Sequence, residues 1–378
     1  MAIDLFSQAT QRQAAQTALT THEHIGFELG WDYAHYRLVP PAPYAQEPST
    51  LRDGLVAGRA AFGSRTLEPS AQVRQWLQLR LNAWLRGRSI ELMQITPHYL
   101  QQIEATHCPI TRVELSATTP GEVSIDRVRN DAGYAAGNLA VMSTKANIAK
   151  GAHDHAGALQ RVKQIESARL SGISGLNAAQ WSRVAVLCSF VEALPHEEAC
   201  ALPLLVLPPN RLRLFNPVQA LQAFISRQLL TPGWSHRVSR IEALIPSKPA
   251  RRAFQTFFHA LLPRVLEAGR TTEPQRARWA VEDAWRHPLV LQRWITFAQL
   301  MTAQQCETLV VNATARKLGT TCVQQLDMAQ ATDGWQLESR GYVPHAVMTR
   351  RSAPRARRLV GETVPGQQPR PPVQASLL

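Results

Sequence analysis

The chain has 378 residues, with 41 Lys and Arg against 28 Asp and Glu, a formal charge of +13. That length holds two or three packed cores of roughly 100 to 200 residues each, and the basic excess favours a polyanionic partner whose phosphates displace counterions. No stretch reaches the roughly 18 apolar residues of a membrane span, no apolar leader follows Met1, and the five cysteines are widely spaced with no CxxC pair, so the expectation is a cytoplasmic, thiol-reduced protein without a membrane segment.

Residues 1–95 read as a helical N-terminal region. Residues 5–19 predict a first helix, Pro40, Pro41 and Pro43 break the chain, and Ser70 caps a helix that stops at Gly87. Val73, Trp76, Leu77, Leu81 and Trp84 recur along it at helical spacing, a core-facing stripe with Arg74, Arg80, Arg86 and Arg88 nearby. Thr96 and Pro97 open a short helix through Glu104.

Residues 108–151 carry the densest pattern. Ser124, Asp126 and Val128 fall on one face of a period-two run, with Ile125 and Arg127 on the other. Gly133 and Gly137 bracket a loop, residues 138–142 read as a returning strand, Ser143 suits the cap of a short helix and Gly151 its end. The five cysteines contain no CxxC pair, so no structural zinc is expected.

The order and spacing of Cys108-Pro-Ile-Thr111, Ser124-Ile-Asp-Arg127, Asn130, Gly133-Tyr134, Asn138, Ala146-Asn147 and Lys150 resemble the HNH, or ββα-metal, finger of homing, restriction and phage endonucleases. The resemblance covers roughly residues 96–151. It implies that Asp126 and Asn147 hold one divalent cation, Mg²⁺ or Mn²⁺, against a scissile phosphate; an oxygen donor set suits a hard ion. It also implies that Asn138 pins the loop between the strands, and that Arg127, Arg129, Lys145 and Lys150 face nucleic acid. Most active HNH members place a histidine directly after the metal-binding residue. Here that position is Arg127, which cannot act as a general base. His107, His153 or His155 would have to supply the base, unless a metal-bound hydroxide attacks directly or the finger does not cleave.

Beyond the finger, residues 152–175 form a helix and linker. Asn177 with Gln180 predicts a capping box for a helix through Ala193, and Asn216-Pro217 opens another. Phe254, Phe257, Phe258, Leu261, Leu262, Val265 and Leu266 form a stripe interrupted by Pro263, and further helices are expected over 273–286 and 289–317. A short β pair is expected around 335–343, closing an α-helical C-terminal domain over 176–345. The tail, 346–378, is Pro-rich; its residues from Arg350 onward hold six arginines against one Glu and read as a disordered segment able to lie along phosphates. No nucleotide-binding fingerprint occurs.

The fold class expected is α+β, predominantly helical, with an embedded ββα-metal finger. The expected function is a divalent-metal-dependent DNA endonuclease or nickase acting on double-stranded DNA. The alternative is a non-catalytic nucleic-acid- or partner-binding protein with a degenerate finger, in a phage or defence context. None of Cys188, Cys200, Cys306 and Cys322 is expected near the metal site.

Overall fold

The computed structural model describes residues 21–116, 122–267, 273–319 and 324–343. The fold is α+β and mostly helical, with one two-stranded antiparallel sheet among the described residues. The helix expected over 5–19 and the basic tail lie outside them.

The N-terminal part packs α1 (Thr21–His35), α2 (Ala42–Gln46), α3 (Thr50–Phe62) and α4 (Ala71–Leu85). Helices α1 and α3 approach almost backbone to backbone. A Cβ at Gly30 would lie 1.9 Å from the Leu51 carbonyl oxygen, and one at Gly54 would lie 1.9 Å from that of Phe27. Ser70 caps α4 by accepting from the Val73 amide, as its position before the apolar stripe predicts. Arg80 of that stripe is not solvated. It is buried, ion-paired with Asp32 and stacked 4.4 Å from the Trp76 ring centroid. Thr96 caps α5 (Pro97–Ile103) in the same way.

Strands β1 (Val123–Arg127) and β2 (Leu139–Ser143) pair with Ile125 opposite Val141 and Asp126 opposite Ala140. Their alternation divides two cores. Val123, Ile125, Leu139 and Val141 pack towards α4 and α5 with Tyr99 and Leu100. Ala140 and Met142 join the larger core, which also takes in Ile110, Val128, Trp181, Leu187, Trp285, Trp294 and Trp335. The ββα unit therefore sits between the helical regions and shares buried surface with both. Helix α6 (Thr144–Lys150) follows β2 directly, capped by Ser143, whose hydroxyl accepts from the Ala146 amide and donates to the Cys108 thiol.

The C-terminal helices are α7 (His155–Ser167), α8 (Ala178–Ser189), α9 (His196–Ala201), α10 (Pro217–Gln228), α11 (Trp234–Glu242), α12 (Lys248–Glu267), α13 (Pro274–Ala284), α14 (Pro288–Ala298), α15 (Ala303–Ala315) and α16 (Met328–Ala331). The Asn177–Gln180 capping box is present, but its helix α8 ends at Ser189 rather than Ala193. Three further expectations change. Helix α12 continues through Pro263, because Phe254, Phe257 and Leu261 anchor the preceding turns in the core. The single helix expected over 289–317 is two, since Thr302 and Gln305 form a second capping box that starts α15. Residues 335–343 form no β pair with each other. Inside the segment the Arg340, Gly341 and Tyr342 amides close turns on the carbonyls of Leu337, Gln336 and Ser339, and the bridge is made to the stretch after α4, where the Ser89 amide donates to the Gly341 carbonyl and the Val343 amide to that of Gly87.

Candidate functional site

Ser124 and Asp126, two residues apart on β1, face α6, and from α6 Asn147 and Lys150, one turn apart, reach back to them. The Asn147 amide nitrogen donates to the Ser124 hydroxyl at 2.6 Å. The Lys150 ammonium stands 3.0 Å from the Asp126 carboxylate and donates to the Arg127 carbonyl at 3.0 Å. Two parallel polar links thus tie helix to strand. Asp126 is 5% exposed and Lys150 0%. Burial pushes the Asp126 carboxyl above the ordinary carboxylate range, and the charges of Lys150 and then Arg127 pull it back.

Asn138 bridges the loop between the strands by hydrogen bonds. Fully buried, it accepts from the Arg129 amide at 2.8 Å and donates to the carbonyls of Arg129 and Gly133 at 3.1 and 3.0 Å. The loop is also held from outside the unit. The Gly133 amide donates to the Trp335 carbonyl, and the Trp335 indole donates to the Ala136 carbonyl at 3.1 Å. Tyr99 accepts from the Gly137 amide at 3.0 Å.

The other expected site residues are placed differently. Arg127 does not stand beside Asp126 facing a phosphate. Period-two geometry sends it to the opposite face, where it donates to the carbonyls of Asn130 and Ala132 and stacks 5.1 Å from the Tyr134 ring centroid. Arg129 pairs with Asp131 at 2.8 Å, which holds the Asp131 carboxyl below its ordinary value. Lys150 points inward, as described. Lys145 alone of the four expected phosphate contacts is exposed, lying near Gly175.

Each of the three candidate bases is engaged by another partner. His107 is edge-on to Trp279 of α13 at 5.3 Å and hydrogen-bonded to the Thr106 hydroxyl. Its neighbour Arg112, in a left-handed backbone conformation, pairs with Glu282 and Asp283 of α13, so this corner anchors the lead-in loop. His153 is edge-on to Trp181 at 5.4 Å, and burial followed by the Arg161 charge holds its imidazole below the ordinary value. His155 is buried, bonded to the Ala185 carbonyl. Against expectation, Cys188 does lie beside the unit, its thiol directed at the carbonyls of Val128 and His153 at 3.9 and 3.7 Å. Burial pushes that thiol up to about 12, so it is an inert packing group.

These side chains do not fit a divalent cation as arranged. A cation bound to Asp126 would meet the Lys150 ammonium already at carboxylate contact distance, with like charge and no solvent to screen it. The Asn147 amide presents its N–H to Ser124, and among the described residues no group of three or more His, Cys, Asp or Glu is placed to hold a metal. The signal that sequence reasoning missed is the spacing of Asn147 and Lys150, three apart on one helix and matched to Ser124 and Asp126, two apart on one strand.

Comparison with protein-family models, with curated proteins and with solved structures gives no match. No helix of the described residues is long and apolar enough to cross a membrane.

Proposed function

We propose that this chain is a nucleic-acid-binding protein whose ββα unit keeps the HNH plan as a structural centre and does not hydrolyse phosphodiesters. The observation that carries the second half is the 3.0 Å contact between the Lys150 ammonium and the buried Asp126 carboxylate. The family resemblance assigns a metal ion to that carboxylate, and here a cation of the protein's own supplies the positive charge. Closure of the loop by Trp335 and the outward absence of Arg127 and Lys150 support the same reading. The binding half rests on the excess of 41 basic over 28 acidic side chains.

Incubating supercoiled plasmid with the protein in Mg²⁺ or Mn²⁺, with Asp126→Ala in parallel, tests both halves. The expected result is retarded migration at low salt with the plasmid still supercoiled. Nicking by wild type that Asp126→Ala abolishes would restore the metal-dependent endonuclease reading. Unretarded plasmid at low salt would remove the nucleic-acid partner.

A further inference from the structure

With the loop of the ββα unit closed and Arg127, Arg129 and Lys150 engaged internally, Lys145 alone is left exposed there, and the main grip on nucleic acid has to come from another surface. Helix α12 offers one. Its buried residues Ala250, Phe254, Phe257, Phe258 and Leu261 fill one side of the helix, where Phe254 meets Phe297 at 5.3 Å and Phe257 meets Trp294 at 5.1 Å. The opposite side exposes Lys248, Arg252, Gln255, Thr256 and His259. At 100° per residue these five fall within an arc of about 100°. No carboxylate occurs from Lys248 to Leu266. Glu242, at the end of α11, accepts from the Gln255 amide at 2.7 Å.

We propose that this face of α12 enters the major groove of duplex DNA, an inference that rests on the nucleic-acid reading above. Three features point to that partner. The side-chain types are those that read base edges and phosphates: Arg and Lys for guanine, Gln for adenine, Thr for the thymine methyl. The helix exposes its charged side and is pinned on its other side by aromatic packing, Phe257 against Trp285 and Trp294 and Phe254 against Phe297, so the face is presented on a rigid element. Its approach is short and fixed. Helix α11 precedes it across a turn in which Ile245 is buried, the Ser247 hydroxyl accepts from the Ala250 amide and Arg251 donates to the Ile245 carbonyl. From Lys248 to His259 the helix rises about 16 Å, enough to follow about five base pairs. A helix of about 10 to 12 Å diameter fits the B-form major groove and not the deep, narrow major groove of A-form RNA.

The test is fluorescence anisotropy of the full chain on a labelled DNA duplex of about 30 base pairs, over a salt series of about 50 to 200 mM. The variant is Lys248→Glu/Arg252→Glu, and the control is Arg52→Glu/Arg59→Glu, which makes the same charge change at exposed positions on α3. Both should melt as wild type, because all four side chains are exposed. The α12 variant is expected to bind at least about ten-fold more weakly, and its salt dependence to lose a slope of about 2, one per lost phosphate contact. The control should bind close to wild type. Wild-type affinity in the α12 variant, or an equal loss in the control, overturns the proposal while leaving nucleic-acid binding in place. Equal affinity for an RNA duplex, lost in the same variant, overturns major-groove entry. Absence of any binding by wild type overturns the underlying reading instead.

Discussion

Lys150 reaches Asp126 from the last turn of α6, and the two meet at 3.0 Å with both side chains removed from water. Withdrawing one member of such a pair strands the other. Lys150→Met should destabilise the protein by about 3 to 5 kcal/mol at neutral pH, the usual result of leaving one buried charge without its partner. Asp126→Asn/Lys150→Met, which removes both charges, should recover most of it. Urea denaturation of wild type, Asp126→Asn, Lys150→Met and the double variant checks this; additive losses would mean that the pair is not coupled.

The same pair has a pH signature. Burial raises the Asp126 carboxyl above its unfolded value, so the folded state holds the proton more tightly. The stability that Asp126 contributes is therefore fully present below the ordinary carboxylate range, and is lost as pH rises through its raised value. In Lys150→Met the opposing charge is gone and the window widens upward. The penalty of that variant should shrink as pH is lowered from neutral, and thermal melts across the acidic range will show it. A penalty independent of pH would contradict this account.

Asn138 makes three hydrogen bonds inside the loop and is fully buried. Asn138→Ala leaves those backbone groups unpaired, at about 1 to 3 kcal/mol for each that cannot find water. Hydrogen exchange should accelerate first at residues 129–134. Uniform acceleration over the whole chain would argue that Asn138 is not a local pin.

Gly341 packs its backbone against the same loop. It has φ +70, and an added Cβ would lie 2.3 Å from the Ala132 carbonyl carbon. Gly341→Ala should cost at least about 1 to 3 kcal/mol from backbone strain alone, and should loosen the loop as Asn138→Ala does. A melting temperature equal to wild type would show that this contact is not made.

Divalent ions supply an independent check. A ligand that binds the folded state at about 100 times its Kd adds about 2.7 kcal/mol of stability. With Lys150 in contact with Asp126, millimolar Mg²⁺ or Mn²⁺ should give no stabilisation that Asp126→Asn removes. Titration calorimetry that detects an Asp126-dependent site would show that the carboxylate does hold a divalent ion.

Local signals made much of this protein legible. Period-two alternation gives β1 two faces, and it separates Asp126 from Arg127 whatever surrounds them. Ser70, Thr96 and Ser143 cap the helices that follow them, and Asn177 with Gln180 starts α8, because a side-chain oxygen three residues before an amide is a short-range fact. The Thr302–Gln305 box is equally local, and it is what separates α15 from α14. The continuation of α12 through Pro263 was not readable, since packing several residues away outweighs the local preference.

The sequence by itself determined the ββα order, the cap residues, the loop asparagine and the basic balance, all of which depend on neighbours within a few positions or on simple counting. Only the tertiary structure decided what those parts do together. Whether Lys150 faces a phosphate or Asp126 depends on how α6 lies against β1. Whether the loop is open depends on Trp335 and Gly341, some two hundred positions downstream. Whether α12 is core or contact surface depends on which side Phe254 and Phe257 bury. Such long-range contacts leave no period in the chain, because burial is set by the whole packed assembly rather than by any one segment.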